Sequence, residues 1–342
     1  MPEARLARWF ERRWYAARAP WYLRPFAALF GGIVALRSAA YRSGLIASGH
    51  PGVPVVVVGN LTVGGTGKTP FTLWLAGALR ARGVRVGIAS RGYGGSTQGS
   101  ERVDPAGSAA RYGDESLLLA RRSGVPVCVA RRRLQAAQHL AAEGCELVLA
   151  DDGLQHLALR RDFSIVVIDA ARGFGNGRLL PAGPLREPPS RIAAADAVVV
   201  QGAEPPAAVR AHPLVVCMSL APGPLRALRG GEEKPLAAFA GQRVHAVAGI
   251  GHPDRFFGLL RAAGIEPIAH AFPDHHPFVP QDLDFADTLP VLMTEKDAVK
   301  CLPFADGRMW CLPVAAEPDP AGAARLLERV LRLLPRGGTS LA

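Results

Sequence analysis

The sequence predicts an α/β protein of the P-loop NTPase type, with a mostly parallel sheet flanked by helices and a second, smaller C-terminal α/β domain. Short β-branched runs such as 55–58 alternate with helical patterns, as in parallel sheets that are covered on both faces. A glycine-rich loop ending in Gly-Lys-Thr follows the first run and opens a helix. Five prolines between residues 205 and 224 then mark a change in composition.

Length and composition limit the class of protein. The 342 residues are 49% hydrophobic, which favours a globular protein with two domains. The formal net charge of +11 favours acidic partners such as nucleotides, phosphorylated substrates or anionic lipids. We expect no nucleic acid partner, because only 7% of the residues are aromatic and basic and stacking residues do not alternate. Five cysteines without a C-x-x-C pair indicate a reducing compartment.

Residues 1–48 form a basic, aromatic segment that we predict to be helical. It holds eight arginines against two glutamates, with tryptophan and tyrosine between them. The apolar run 26–36 is too short to cross a bilayer, and no stretch of the chain reaches the roughly 18 apolar residues that spanning requires. Such a segment fits the interface of an anionic membrane. The alternative is a helix packed on the core with a solvated basic face.

The loop after residue 58 has the composition of a phosphate cradle. Its glycines are Gly64, Gly65 and Gly67. They admit positive φ angles, so that backbone N–H groups can close around phosphate oxygens at a helix start. Lys68 would reach the β- and γ-phosphates, and the Thr69 hydroxyl a Mg²⁺ ion. The strict pattern has glycine where Thr62 stands, and a tight turn without a ligand is the alternative.

Further elements of the core follow from the same patterns. Helices are predicted at 71–82 and 116–122, and strands at 84–89, 125–130, 146–150, 163–169 and 195–201. Asp151 and Asp152 directly follow the strand 146–150. Carboxylates in this position can hold Mg²⁺ or its water shell, although an Asp-Gly turn is the alternative. The Gly- and Pro-rich loop 173–189 is expected on the ligand side of the sheet.

The composition change predicts a domain boundary near residue 215. Residues 49–215 would form the P-loop core, and residues 216–342 the smaller α/β domain. In that domain the patterns predict strands at 244–249, 265–271 and 291–294 and helices at 253–263 and 321–334.

Several separated motifs resemble those of one family, the tetraacyldisaccharide 4'-kinases, which are lipid A kinases of Gram-negative bacteria. The motifs are Val-Gly-Asn-Leu-Thr-Val-Gly-Gly-Thr-Gly-Lys-Thr (58–69), Ser-Arg-Gly-Tyr (90–93), Gly-Asp-Glu (113–115), Asp-Asp-Gly-Leu-Gln-His (151–156), Leu-Leu-Pro-Ala-Gly-Pro-Leu-Arg-Glu-Pro (179–188), Phe-Pro-Asp-His-His (272–276) and Met-Thr-Glu-Lys-Asp-Ala-Val-Lys (293–300). Their order and approximate spacing agree over most of the chain. Thr62 departs from the general P-loop pattern, which has glycine at this position, but the family has the same departure.

The resemblance implies an ATP-dependent lipid kinase. It would transfer the γ-phosphoryl group to the 4'-hydroxyl of tetraacyldisaccharide 1-phosphate and so make lipid IVA. The implied location is the cytoplasmic face of the inner membrane, where the protein would be peripheral or anchored by its N-terminus. The N-terminal helix would help to dock it on the bilayer, and the protein would be a monomer. Two lobes would close around ATP, Mg²⁺ and the lipid.

The resemblance also assigns roles to matching positions. Asp114 and His275 would activate the sugar hydroxyl, and Lys68 and Asp152 would complete the catalytic set. The nucleotide would bind at Asn60, Thr62, Val63, Gly64, Gly65, Thr66, Gly67, Lys68 and Thr69. Mg²⁺ would be held by Thr69, Asp151, Asp152 and Glu115. The lipid substrate would contact Arg91, Arg133, Arg186 and Glu187, although any one of these arginines could instead form a structural salt bridge, and the run 131–133 leaves open which arginine meets the substrate.

Two other functions compete with a lipid kinase. A P-loop GTPase or ATPase could act as a switch or metal-insertion factor, but guanine selection usually uses Asn-Lys-x-Asp, and the nearest string, Glu-Lys-Asp at 295–297, does not fit. A basic membrane or nucleic-acid-binding module with a vestigial P-loop would not need Lys68.

Overall fold

A nine-stranded sheet runs through the larger part of this computed structural model, which describes residues 9–10, 12–16 and 18–335. Its strands are β1 (Val55–Gly59), β2 (Val86–Ser90), β3 (Ser100–Arg102), β4 (Val127–Ala130), β5 (Leu147–Asp151), β6 (Phe163–Asp169), β7 (Ala197–Gln201), β8 (Val215–Pro222) and β15 (Val314–Pro318). They lie in the order β15-β8-β7-β6-β1-β5-β2-β4-β3. The edge strands β3 and β15 are antiparallel to their neighbours, and the other pairs are parallel.

The parallel strands are buried on both faces, which accounts for their continuous apolar sequences. In β1, Val56 and Val58 pack in the same cluster as Phe71, whereas Val55 and Val57 pack in the cluster on the opposite face. The strands predicted between residues 55 and 201 are present, and their ends differ from the prediction by at most two residues.

Helices cover both faces of this sheet. Residues 9–10 and 12–14 are helical. The α-helices that follow are Arg24–Arg42, Lys68–Arg80, Ala109–Tyr112, Asp114–Ser123, Arg133–Ala142, Ala207–Arg210, Pro253–Ala262, Glu295–Cys301 and Pro320–Leu331. Lys68–Arg80, Asp114–Ser123 and Pro320–Leu331 contribute apolar side chains to one face. Arg133–Ala142 and Ala207–Arg210 contribute to the other.

A second, six-stranded sheet forms the smaller part of the structure. Its strands are β9 (Leu225–Ala227), β10 (Glu233–Lys234), β11 (Arg243–Ala248), β12 (Glu266–Ala271), β13 (Val291–Thr294) and β14 (Met309–Leu312). They lie in the order β10-β9-β14-β13-β11-β12. The last four run parallel to one another, whereas β9 is antiparallel to both β10 and β14. This sheet has apolar clusters of its own. The predicted fold class, a mostly parallel α/β core with a smaller α/β unit, is confirmed.

The two sheets do not follow the predicted boundary between residues 215 and 216. β8 begins at that boundary and belongs to the large sheet, and β15 pairs antiparallel with it. The helix Pro320–Leu331 packs in the large core as well. The smaller sheet therefore spans residues 225–312, and the chain returns to the core after it. The prolines on which the predicted boundary rests indicate only a change in local composition. The return of the chain to the large sheet depends on the pairing of β15 with β8, a long-range contact that local patterns do not specify. Residues 336–342 of the predicted C-terminal domain lie outside the described residues.

The N-terminal helix Arg24–Arg42 lies on the surface of the large unit. Ala27 is its buried residue, and Gly31 sits so close to Leu179 that a Cβ there would lie 2.8 Å from the Leu179 Cδ1 atom. Among the described residues, one helical stretch, Trp21–Arg42, is long and apolar enough to cross a membrane. This corrects the prediction that no stretch reaches that length, because Ser38, Ala39, Ala40 and Tyr41 extend the run 26–36 beyond Arg37. Residues 1–8, 11 and 17 of the predicted segment lie outside the described residues.

Candidate active site

The predicted site residues of the core gather at the carboxyl ends of its parallel strands. The glycine-rich loop follows β1. Asp151 ends β5 and Asp152 follows it, and β5 pairs directly with β1. Arg91 follows β2, the other neighbour of β5. In open α/β sheets this edge is where ligands bind, because the loops after adjacent strands converge there.

The loop 60–67 is shaped for close approach of a ligand to its backbone. Gly64 has a φ of 103° and Gly67 a φ of 85°, conformations that favour glycine. A Cβ on Gly67 would also lie 2.9 Å from the Met218 side chain. Lys68 is the first residue of the helix that follows, so the loop lies at the positive end of the helix dipole. The buried Thr66 hydroxyl has no hydrogen-bond partner within the described residues.

Asn60 holds this loop in shape. Its side-chain amide donates to the carbonyl oxygens of Thr62 at 2.8 Å and Gly64 at 3.3 Å. Its Oδ1 atom accepts a hydrogen bond of 3.0 Å from Lys68 Nζ. Asn60 is fully buried, so its partners set the positions of the loop backbone and of the lysine.

The start of the loop is also fixed by the segment 179–188. Val63 N donates to Pro184 O at 2.8 Å, and Arg186 N donates to Leu61 O at 2.7 Å. Thr62 and Leu185 form an isolated antiparallel bridge. Two separate sequence motifs are therefore joined by backbone hydrogen bonds, and this pairing includes Thr62, where the general P-loop pattern has glycine.

Asp152 is surrounded by cations. Its carboxylate lies 3.5 Å from Lys68 Nζ and 3.3 Å from the Arg186 guanidinium. Burial raises the pKa of Asp152, but Lys68, Arg186 and Arg133 outweigh it and hold the pKa at about 2. Asp152 is therefore a carboxylate at physiological pH, and it positions Lys68 beside the loop. Its φ of 49° is in the left-handed region.

Asp151 has the opposite electrostatic setting. Its Oδ1 atom accepts a 2.9 Å hydrogen bond from the Thr72 hydroxyl, and its side chain is buried. Burial and the nearby carboxylates of Glu115 and Asp152 raise the pKa of Asp151 to about 6. Negative charge is thus concentrated at the end of β5, where a cation would be favoured.

Of the three arginines in the run 131–133, the structure buries Arg133 and exposes the other two. The Arg133 Nη2 atom donates to Asp151 O at 3.2 Å, while its Nε atom is buried without a partner among the described residues. Burial lowers the pKa of Arg133, and Asp152 and Asp151 raise it. Arg133 is therefore the member of the run that faces the site.

Glu187 is buried against the motif 151–156. Its Oε1 atom accepts a 2.7 Å hydrogen bond from Gln155 Nε2, which also donates to Asn60 O at 3.2 Å. Glu187 also lies 3.5 Å from the Arg191 guanidinium. These contacts connect the segment 179–188 to β1 a second time.

The smaller sheet brings His275 to the core. Its Nδ1 atom lies 3.0 Å from Oδ2 and 3.1 Å from Oδ1 of Asp114, the first residue of the helix Asp114–Ser123. Asp114 Oδ1 also accepts from Glu115 N at 2.8 Å. Burial raises the pKa of Asp114, but the hydrogen bond with His275 and the charges of Lys296 and Lys300 hold it below its ordinary value. His275 lies against the Tyr93 ring, with ring centroids 4.9 Å apart.

Sequence reasoning missed two cations at this site. Lys296 Nζ contacts Glu115, Asp274 and His275. The Arg172 guanidinium lies next to Gly64, 3.1 Å from the position of a Cβ there, and 4.1 Å from the Tyr15 ring centroid. Lys296 could have been found from its motif, because it lies two residues beyond the end of the parallel strand β13. Arg172 lies in a stretch where the sequence shows no motif or periodicity that would predict a site residue.

The predicted metal ligands come together only loosely. Asp151 and Asp152 are adjacent and Glu115 lies near Asp151, whereas the Glu115 carboxylate accepts from Lys296 at 3.0 Å. Within the part of the chain that the structure describes, the one group of three acid, histidine or cysteine ligands within 4.8 Å of one another is Cys128, His139 and Glu143. That group lies elsewhere, on β4 and the helix Arg133–Ala142 and its end.

Comparisons with known proteins agree with this geometry. The family model described as tetraacyldisaccharide-1-P 4'-kinase matches residues 19–332. A tetraacyldisaccharide 4'-kinase from Methylobacillus flagellatus is 49% identical over 96% of this chain and 98% of its own length. A tetraacyldisaccharide 4'-kinase from Alkalilimnicola ehrlichii is 52% identical over 91% of this chain and 92% of its own length. A crystal structure described as "apo" form LpxK from Aquifex aeolicus in complex with ATP has a TM-score of 0.75 at 30% identity, covering 92% of this chain and 99% of that one. The chain therefore belongs to the tetraacyldisaccharide-1-P 4'-kinase family.

Proposed function

We propose that the protein transfers the γ-phosphoryl group of ATP to the 4'-hydroxyl of tetraacyldisaccharide 1-phosphate. The observation that carries this proposal is the Asp114–His275 pair, which joins the smaller sheet to the core next to the phosphate loop. A carboxylate held by an imidazole is the group that a hydroxyl acceptor needs. The GTPase or metal-insertion alternative is not favoured, because it has no acceptor to activate and the relatives are named kinases.

The core would bind the triphosphate. Backbone N–H groups of the loop 63–67 and the start of the following helix would face the phosphate oxygens. Lys68, held by Asn60 and Asp152, would lie beside the β- and γ-phosphates and stabilise the charge that moves to the leaving group. Gly251 of the smaller unit packs against the loop, with its Cβ position 3.5 Å from Gly64 Cα, and so helps to exclude water.

The dyad would activate the sugar hydroxyl. An alcohol is a poor nucleophile at neutral pH, so Asp114 would accept its proton as it attacks the γ-phosphorus. His275 would orient the carboxylate through its Nδ1 atom. Because Asp114 comes from the core and His275 from the smaller unit, the pair exists only when the two units are together.

Mg²⁺ fits the oxygen ligands at the end of β5. Burial and the nearby carboxylates of Glu115 and Asp152 raise the pKa of Asp151, so a cation would be favoured there. Thr69, Asp151 and Asp152, with Glu115 next to them, would hold the ion. Mg²⁺ keeps several waters, so it does not require all these oxygens to be mutually close. When bound, it neutralises charge on the phosphate oxygens.

The disaccharide headgroup would bind beside the same loops. Arg91 is exposed at the end of β2, and its planar guanidinium suits the 1-phosphate. Arg186 pairs with Asp152 and Glu187 is buried against Gln155, so these two would position the loops rather than carry the substrate phosphate. Arg133 faces the site from beneath Asp151.

The decisive test is a phosphoryl-transfer assay with radiolabelled ATP and tetraacyldisaccharide 1-phosphate, with and without Mg²⁺. We expect label to appear in the lipid product only when ATP, lipid and Mg²⁺ are all present. GTP serves as the matched control nucleotide. Hydrolysis of GTP without lipid, at a rate equal to or above that with ATP, would support the switch alternative instead.

The N-terminal helix would bring the site to the cytoplasmic face of the inner membrane. Its apolar side chains at 26, 29, 33 and 36 follow helical spacing and are exposed, Leu29 by 65% and Ile33 by 57%. Trp21 and Tyr22 precede this stripe, as expected at the headgroup level. A stripe of this size open to solvent is better accounted for by lipid contact than by packing on the core.

Replacing Leu29 and Ile33 together with serine should weaken binding to vesicles containing anionic lipid by at least about tenfold, because each side chain contributes about 1.5 kcal/mol or more when it is buried. Vesicle co-sedimentation measures this change. Ala35→Ser, at an exposed position on another side of the same helix, is the control and should bind like the parent. Equal binding of the double variant and the parent would show that the stripe does not contact lipid.

A further inference from the structure

Lys296 joins the two units of the structure next to the dyad. It is the second residue of the helix Glu295–Cys301, which begins directly after β13, and its side chain is 16% exposed. Its ammonium donates to Glu115 Oε1 of the core at 3.0 Å and to Asp274 Oδ1 of the smaller unit at 3.0 Å. The third contact is His275 Nε2 at 3.3 Å. One ammonium group thus has three acceptors, as many as it has N–H donors.

The charge of Lys296 is strongly stabilised in this position. Burial lowers the pKa of the lysine, but the carboxylates of Glu115, Asp274 and Asp114 outweigh burial and raise it above its ordinary value. The side chain is therefore a cation, and it has no lone pair with which to accept a proton from His275.

This contact selects one form of the His275 ring. Because the ammonium can only donate, the 3.3 Å contact is a hydrogen bond when Nε2 accepts, and the proton of the neutral ring is then on Nδ1. Nδ1 then donates to the Asp114 carboxylate. In the other neutral tautomer an N–H group would face the ammonium, and an unprotonated Nδ1 would face a carboxylate, which is unfavourable at both ends.

Lys296 also supports the turn that carries His275. His275 has a φ of 60°, in the left-handed region that non-glycine residues rarely adopt. Asp274 Oδ1 accepts from His275 N at 3.1 Å and from Lys296 Nζ, so the lysine holds the carboxylate that braces this turn.

Other ion pairs also cross between the units, but they do not contact His275. Arg122 pairs with Glu295, and Arg255 lies 3.2 Å from Asp169. Lys300 Nζ is 3.9 Å from Asp114 and 2.9 Å from Asp297. Lys296, in contrast, contacts both the His275 imidazole and an acid of the core, Glu115.

We propose that Lys296 is a positioning residue of the phosphoryl transfer: it holds His275 in the tautomer that donates to Asp114, and it holds the turn of the smaller unit against the core through Glu115. This inference rests on the proposed role of the dyad. It requires that the lysine acts through His275, and not only through the stability of the fold.

A double-mutant cycle tests this dependence. Lys296→Met in the parent should lower kcat by about 10- to 100-fold, in the range of coupling between directly contacting groups. The KM for ATP should stay within about twofold, because the nucleotide contacts are on the core loop. In the His275→Ala background, the same substitution should lower kcat by no more than about twofold, because the group through which it acts is gone.

Controls separate positioning from folding. Lys234→Met, on β10 of the same unit and paired with Glu232, should keep the parental kcat. Thermal unfolding of each variant is measured, and Lys296→Gln, which keeps an N–H donor, replaces Lys296→Met if the latter does not fold.

The outcomes distinguish this inference from the proposed function. Parental kcat for Lys296→Met, or an equal loss in both backgrounds, would overturn the positioning role while leaving the dyad intact. Parental turnover of His275→Ala would instead remove the dyad, and the role of Lys296 with it.

Discussion

Asp114→Asn is expected to lower kcat by about 10²- to 10⁴-fold, the range typical of losing a general base, while ATP affinity changes little. Asparagine keeps the shape of the side chain and can still accept from Glu115 N and His275. It cannot take the proton of the sugar hydroxyl. The loss should therefore be confined to the chemical step.

Single-turnover phosphoryl transfer and ATP titration measure the two quantities separately. Asp104→Asn is the matched control, because Asp104 is an exposed acid of the same unit whose side chain caps Ala106 N. If Asp114→Asn transfers phosphate at the parental rate, Asp114 is not the base, and the hydroxyl proton must leave by another route.

Lys68→Met is expected to lower kcat/KM for ATP by about 10²- to 10³-fold, the cost of removing one preorganised electrostatic group at a transition state. The methionine side chain keeps most of the apolar length but has no charge for the β- and γ-phosphates. The substitution also leaves Asp152 without its nearest lysine, and Asn60 Oδ1 without its donor. Both changes would loosen the loop.

Steady-state kinetics at varied ATP, with binding of ATP followed by calorimetry, measure this effect. Lys234→Met again serves as the control lysine. Parental turnover of Lys68→Met would support the module with a vestigial P-loop and argue against phosphoryl transfer at this site.

Local patterns were sufficient for the elements of the core. The β-branched run of β1 and the glycines at 64 and 67 require only backbone geometry and burial, both of which are expressed over a few neighbouring residues. The same holds for the acids after β5 and for the helix that starts at Lys68. Motif resemblance then predicted the family, and the comparisons confirmed it.

The tertiary structure decided which distant residues meet. Asp114 and His275 are 161 positions apart, and Lys296 reaches Glu115 across 181 positions. The return of β15 to the large sheet, and the choice of Arg133 over its two neighbours, likewise appear only in the fold. These contacts depend on the order of strands and on loop closure, and a local window of sequence contains neither. The sequence by itself thus determined the phosphate loop and the acids beside it, and the family resemblance named Asp114 and His275. Only the packing of the smaller unit on the core brings that pair into contact and adds the lysine that holds it.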